Sequence, residues 1–203
     1  MAGLLGTDVL PSNRVGLLGG TFDPPHIGHL IAALEARFAV GLEEVLFVPA
    51  GDPWQKTAAR PVTPARHRLA MVEAAIDGLD GLRASSIEVD RKGPSYTVDT
   101  LADLTEPGQR LALIVGADAA GRLETWHRWR DLPELADLVV VTRPGITAAG
   151  PTWWPAEVVE MPAIGVSSTD LRRRFTGGEP VEVQTPRSVV TYARQHRLYA
   201  DGR

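Results

Sequence analysis

The sequence predicts an α/β fold: a Rossmann-like, doubly wound sheet, mostly parallel, with helices on both faces. Three observations carry that expectation. Short runs that are apolar throughout recur along the chain, among them RVGLLGG (14–20), RLALIVGAD (110–118) and DLVVVTR (137–143). Strands without polar alternation are those buried on both faces, as parallel strands are. Segments of helical apolar spacing separate these runs, which is the alternation a parallel sheet requires.

Taken in order, RVGLLGG is a buried first strand ending in glycines, and GHLIAALEARFAVG (28–41) has helical spacing and a closing glycine. EEVLFVPAG (43–51) is a second buried strand, followed by the breaker-rich loop GDPWQKTAARPV (51–62). TPARHRLAMVEAAIDG (63–78) reads as a helix with Thr63 as its cap and Pro64 at its first position. LRASSIEVD (82–90) reads as a strand, SYTVDTLADLTE (95–106) as a helix, and RLALIVGAD as the next strand. Helical pieces are expected around Trp126 and Leu132, then the strand DLVVVTR and the connection PGITAAGPTWWP (144–155). A last strand, EVVEMPA, precedes two helices, SSTDLRRRF and RSVVTYARQHRLY.

The bulk properties narrow the function. With 203 residues, 44% hydrophobic and 23% charged, the chain suits one folded domain at 14–203, preceded by a short extension at 1–13. It has no cysteine, which excludes disulfides, thiolate metal sites and cysteine nucleophiles. No apolar run approaches the ~20 residues of a membrane span. MAGLLGTDVLPSN lacks the basic start and apolar core of a signal peptide, so a cytoplasmic location is expected. A net charge of −4 argues against a nucleic-acid partner. Basic residues still gather at Lys56, Arg66 to Arg68, Arg143 and Arg172 to Arg174, which suits a small anionic ligand.

The stretch GGTFDPPHIGHL (19–30) offers the place for such a ligand. Gly19 and Gly20 end the first strand without Cβ atoms, so a ligand can approach the backbone N–H groups. The helix that follows points its free N–H groups and positive dipole end at the same spot. His26 and His29, at i and i+3, share one side of its first turn and offer N–H donors to phosphate oxygens.

The full string resembles the signature of the nucleotidyltransferases with an H-x-G-H motif, spelled here His-Ile-Gly-His. Their second signature, Ile-Ser-Ser-Thr-x-x-Arg, appears as VSSTDLRRRF, with Val166 replacing the usual Ile. Ser167, Ser168 and Thr169 cap a helix and expose N–H groups to a polyphosphate, and Arg172 sits one turn on as a fixed cation. Arg173 and Arg174 read as a solvated face. The chain has no Lys-Met-Ser-Lys-Ser string, which sets it apart from the related class I aminoacyl-tRNA synthetases. PSYTVDTL (94–101), GADAAGRLETWHRW (116–129), VTRPG (141–145) and VVTYARQHRLY (189–199) resemble nicotinate-nucleotide adenylyltransferases.

That resemblance implies transfer of AMP from ATP to nicotinate mononucleotide, with Mg²⁺ required. It implies charge stabilisation by His26, His29 and Arg172, and an ATP site that adds Gly19, Gly20, Thr21, Phe22, Gly116, Asp118, Ser167, Ser168 and Thr169. The carboxyl-terminal helical part, 167–200, completes that site. On the acceptor side it implies Trp126 stacked on the pyridine ring, Tyr96 and Thr97 at the carboxylate, and Lys56 and Arg143 at the mononucleotide phosphate. No protein metal ligand is expected, because Mg²⁺ keeps waters and leans on substrate phosphates.

Ala50 stands where many relatives carry a polar residue. Taken singly, Asp118 is equally a helix cap and Trp126 a core residue, while Trp54, Trp153 and Trp154 fit lid, interface or packing roles alike. Other acceptors (nicotinamide mononucleotide, phosphopantetheine, a flavin) and a non-catalytic nucleotide-sensing module are the alternative readings. A homo-oligomer is allowed, but no sequence stripe marks an interface.

Overall fold

The structure, a computed structural model, describes residues 13–53 and 61–200. Six parallel strands form one sheet: β1 (Arg14–Gly20), β2 (Glu44–Pro49), β3 (Leu82–Ala84), β4 (Arg110–Gly116), β5 (Asp137–Thr142) and β6 (Ala156–Glu160). Their order is β3-β2-β1-β4-β5-β6. The chain winds outward from β1 in one direction and then, from β4, in the other. This is the α/β Rossmann-like fold with a topological switch point between β1 and β4, where the carboxyl ends of the strands open a crevice. The register aligns those ends, with Gly20 opposite Pro49 and Gly116 opposite Val141.

Side-chain alternation along the central strands builds a core on each face. Val15 and Leu17 of β1, with Leu111, Leu113 and Val115 of β4, enter one cluster. Leu18 of β1, with Ala112 and Ile114 of β4, enters the other. Helices α1 (Ile27–Ala39), α2 (Ala65–Ile76) and α8 (Arg187–Gln195) cover the Leu18 face through residues such as Ala33, Met71 and Val189. The Leu17 face is covered by α4 (Thr97–Leu104), two 3₁₀ turns and the short α6 (Leu132–Leu135), through Val98, Leu101, Leu123 and Leu132. Burial on both sides is why these strands read as unbroken apolar runs.

Between them lie the single helical turns α3 (Ile87–Asp90) and α5 (Ala117–Ala120). Helix α7 (Ser168–Gly177) joins the start of α1 through a small cluster of Val166, Leu171, Val181 and Val190, packed by Ile27.

Several expectations need correction. The strand read over 82–90 stops at Ala84, because the two serines turn the chain. Ile87 N–H donates to Ser85 Oγ at 3.4 Å, a side-chain bond that competes with a ladder, and Asp90 N–H closes the following helical turn on Ser86 O at 2.8 Å. Thr63 does not cap α2, whose N-cap is Pro64 with no side-chain bond. Instead, the Thr63 carbonyl accepts from Arg68 Nε at 2.7 Å. The last helix ends at Gln195, and Arg197 (φ 51°) and Tyr199 (φ 66°) bend the tail back so that Tyr199 is buried. Trp154 is buried in the second core cluster and Trp153 Nε1 donates to Glu124 at 3.0 Å, so this pair packs within the fold. Trp54, Lys56 and the extension up to residue 12 lie outside the described residues.

Candidate active site

The glycine end of β1 runs through Thr21–Pro25 into α1, and His26 is the N-cap in extended backbone (φ −149°, ψ 169°). Its N–H donates to His29 Nδ1 at 3.2 Å. That bond fixes Nδ1 as an acceptor, so the neutral His29 ring carries its proton on Nε2. The two rings stack at 3.7 Å with 21° between planes, and Phe22 meets His29 edge-on at 5.0 Å. Phe22 is buried between Phe47 and His29 and so supports the bed from beneath.

Two glycines of this stretch lie tight against rings. A Cβ on Gly20 would lie 2.9 Å from the Phe22 ring, and one on Gly28 would lie 3.1 Å from His26 Nδ1 and 3.3 Å from Val166 Cγ1. His26 is held to a pKa of about 4, first because burial disfavours the charged ring and second because the Arg143 guanidinium lies near it. Among the described residues, none gives its buried Nδ1 a hydrogen-bond partner.

The second motif arrives at the same loop. Ser167 is the N-cap of α7, its Oγ accepting from Asp170 N–H at 3.1 Å. Ser168 Oγ donates to Pro24 O at 2.8 Å, and Arg172 donates to Asp23 O at 2.7 Å and to Thr169 Oγ1 at 3.1 Å. Arg173 and Arg174 pair with Asp170 on the surface, as a solvated face does. So the His-Ile-Gly-His and Ser-Ser-Thr-x-x-Arg segments, far apart in sequence, meet at Asp23–Pro25.

Beside them, at the carboxyl ends of β1 and β4, a cavity of about 600 Å³ opens. Gly19, Gly20, Thr21 and Ala50 form its strand side, and Tyr96, Thr97 and Trp126 its helix side. Tyr96 is the N-cap of α4 and Thr97 its first residue, so the free N–H groups of that helix start belong to the cavity wall. Trp126 is not helical as expected. It follows a 3₁₀ turn in extended backbone, half buried, with its body packed on the core.

Arg143 does not line this cavity. It is exposed after β5, near enough to His26 to oppose its protonation. Gly116 is the N-cap of α5, so Asp118 is not a cap. It sits exposed in the first turn of α5, outside the cavity wall.

Five residues at the site escaped the sequence reading. Arg68, which looked like part of a surface basic spot, is 1% exposed. Its guanidinium donates to the carbonyls of Thr63, Thr21, Ala50 and Gly51 at 2.5 to 3.2 Å, tying the ends of β1 and β2 together. Arg66 alone is superficial, paired with Asp90 at 2.5 Å. Glu88 lines the cavity and accepts from Thr100 Oγ1 at 2.7 Å. Burial raises its pKa against the opposing pull of Thr100, Ser95, Arg91 and Arg68. Ser95 Oγ in turn accepts from Gly51 N–H at 2.9 Å. His127 stacks on Tyr96 at 4.1 Å, and Arg122 reaches the same wall. None of these carries a spacing signal, since each depends on long-range packing.

Comparison with known proteins agrees with this arrangement. The model of the cytidylyltransferase-like family matches residues 17–174. A protein of Saccharopolyspora erythraea and one of Leifsonia xyli subsp. xyli, each named "Probable nicotinate-nucleotide adenylyltransferase", are 45% identical to this chain over 190 residues. The alignments cover 92% of this chain and 89% and 94% of those proteins. Among solved structures, the nicotinic acid mononucleotide adenylyltransferase of Plasmodium falciparum complexed with APC superposes with a TM-score of 0.74 at 16% identity, over 92% of this chain and 96% of that one. The same enzyme complexed with NaAD superposes with a TM-score of 0.73. At that identity the likeness concerns the fold.

Proposed function

We propose, from the premise that the chain belongs to the cytidylyltransferase-like family and within it to the nicotinate-nucleotide adenylyltransferases, that it transfers AMP from ATP to nicotinate mononucleotide. The products are nicotinate adenine dinucleotide and pyrophosphate, a step of NAD biosynthesis. The observation that carries this reading is the meeting of the His-Ile-Gly-His and Ser-Ser-Thr-x-x-Arg segments beside a cavity walled by Tyr96, Thr97 and Trp126.

A mononucleotide phosphate is already ionised at neutral pH, carrying roughly −1.5 to −2 charges, so it needs no strong general base. Its oxygen attacks the α-phosphorus of ATP, a new P–O bond forms, and the bond to the β-phosphate oxygen breaks as pyrophosphate leaves. The protein then has to align the two groups and to meet charge on the departing oxygens. His29 Nε2–H, His26 and the Arg172 guanidinium are the donors for this. Arg143, at the His26 end, adds a cation toward the phosphates, and Lys56 is assigned to the mononucleotide phosphate.

Gly19, Gly20 and Thr21 form the bed between the nucleotides, with Phe22 beneath. Gly116, at the end of β4, is assigned to ATP, Asp118 in α5 to its ribose, and Ser167 to Thr169 to its phosphates. On the acceptor side, Trp126 stacks on the pyridine, and the N–H groups at Tyr96 and Thr97 take the nicotinate carboxylate as a helix start takes an anion.

Mg²⁺ enters as the companion of ATP. Bound with ATP it would shield phosphate charge, and an ion that keeps several waters and leans on substrate phosphates would need few or no protein ligands. A cytoplasmic location belongs to the same reading, and among the described residues no helix is long and apolar enough to cross a membrane.

An acceptor panel tests the assignment. With ATP and Mg²⁺, nicotinate mononucleotide is expected to be adenylylated in preference to nicotinamide mononucleotide and phosphopantetheine. A preference for the amide would overturn the role given to Thr97.

A further inference from the structure

Three consecutive carbonyls lead into α1, and each accepts a hydrogen bond from the carboxyl-terminal third of the chain. Asp23 O accepts from Arg172 at 2.7 Å, Pro24 O from Ser168 Oγ at 2.8 Å, and Pro25 O from Thr185 Oγ1 at 2.7 Å. Two further bonds join the same segments. The Tyr199 hydroxyl donates to Asp23 Oδ1 at 2.8 Å, and Ile27 N–H donates to Gln184 O at 3.1 Å.

Two prolines without N–H groups cannot be held by a backbone ladder, so side chains must meet the loop's carbonyls. Arg172 and Ser168 belong to the motif already assigned to phosphate. Thr185 and Tyr199 belong to neither motif, yet they are 1% and 5% exposed and end on this loop. They line no part of the acceptor cavity. Their bonds fall on the residues immediately before His26, whose backbone N–H in turn orients His29.

We infer that Thr185 and Tyr199 are positioning residues for the transfer step. They clamp Asp23–Pro25 and so hold His26 and His29 in register with Arg172. This rests on the proposed adenylyl transfer for its consequence, though the clamp itself is a property of the resting chain. A group that aligns reacting atoms without touching them acts on turnover rather than on acceptor binding. A small displacement there is costly, since an ångström of misplacement can take ~10²-fold from the rate. Tyr199 is well placed for this, because the tail bends back to deliver one hydroxyl to a buried carboxylate. Thr185 is well placed because its hydroxyl donates to the carbonyl of Pro25, the residue next to His26, beside the Ile27 N–H bond to Gln184 O.

The test compares Thr185→Val, which keeps shape and removes the donor, with Thr185→Ser, which keeps the donor, and adds Tyr199→Phe. Each is assayed well below its own unfolding temperature. Thr185→Val and Tyr199→Phe are expected to lose about tenfold or more in kcat with KM for nicotinate mononucleotide within about twofold of the unaltered chain. Thr185→Ser is expected to recover most of that loss. A readout free of any substrate accompanies it: the imidazole ¹⁵N–¹H resonances of His26 and His29, expected to shift or broaden in Thr185→Val and Tyr199→Phe and to return in Thr185→Ser. An unaltered chain that does not adenylylate nicotinate mononucleotide would reject the proposed reaction, and the imidazole resonances would then decide the clamp. Unchanged resonances and unchanged kcat in both donor-free variants would reject the clamp whatever the reaction. So would a rise in KM alone, or a Thr185→Ser variant as impaired as Thr185→Val.

Discussion

The imidazoles of His26 and His29 lie face to face, 3.7 Å between centroids, while the His26 N–H holds His29 by its Nδ1. Two rings so close do not both take a positive charge cheaply, since like charges in contact disfavour one another. His26, held to a pKa of about 4, is the neutral ring at neutral pH, and the stacked pair presents oriented N–H donors. His29→Asn keeps an acceptor near the Nδ1 position and removes the outer donor. We expect it to fold and to lose on the order of 10²-fold in kcat, the scale of a deleted charge-stabilising donor. Steady-state kinetics beside a thermal melt checks this.

The depressed pKa of His26 links the site to acid stability. Burial and Arg143 hold it to about 4, against an ordinary value of 6.5. Between those values the unfolded chain binds the proton and the folded chain does not, so unfolding gains as pH falls. The stability tied to the neutral ring is complete above pH 6.5 and is lost as pH falls through 4. At roughly 1.4 kcal/mol per unit of separation, this amounts to about 3 kcal/mol. Urea unfolding from pH 7.5 to 4.5 is expected to show that decline, and His26→Gln to flatten it.

Gly28 separates the two histidines for a steric reason. The Cβ of Gly28→Ala would press on the His26 ring at 3.1 Å and on Val166 at 3.3 Å. Alanine is the better helix former, so helix propensity predicts a gain and site geometry a loss of turnover. We expect kcat to drop about tenfold or more with a melting temperature near that of the unaltered chain, because ring displacement of a few tenths of an ångström suffices to relieve the contact but misaligns the donor.

Arg68 is expected to matter most for stability. Replacing it with Met leaves the carbonyls of Thr21 and Ala50 unmet in a buried place, at a cost of about 3 kcal/mol or more. Lysine offers a point charge in place of a planar fork and should recover only part. By contrast, Arg66→Ala removes an exposed ion pair and should stay within about 0.5 kcal/mol. Denaturant titrations of the three variants separate these outcomes.

The sheet was legible in the sequence because burial on both faces writes itself as unbroken apolar runs, and each of the other strands was found within a few residues of its position. The failure at 87–90 came from two serines whose local bonds bend the chain, a contest that periodicity does not register. Of the site, the two motif segments were legible because each carries its chemistry in a contiguous string. Arg68, Glu88 and Tyr199 were not, since a buried guanidinium, carboxylate or phenol looks like any other until the fold supplies its partners. The fold also sends Arg143 to the histidine side and makes Phe22 a support, distinctions of a few ångströms that no spacing encodes.

The most direct test of the account is product identity in one reaction. The purified chain, ATP, Mg²⁺ and nicotinate mononucleotide are combined, and dinucleotide and pyrophosphate are quantified together by mass and by coupled assay. Equal amounts of nicotinate adenine dinucleotide and pyrophosphate are expected from the unaltered chain, with at least about 10²-fold less from folded His26→Ala. Absence of the dinucleotide, or its formation at an unchanged rate by His26→Ala, would contradict the account.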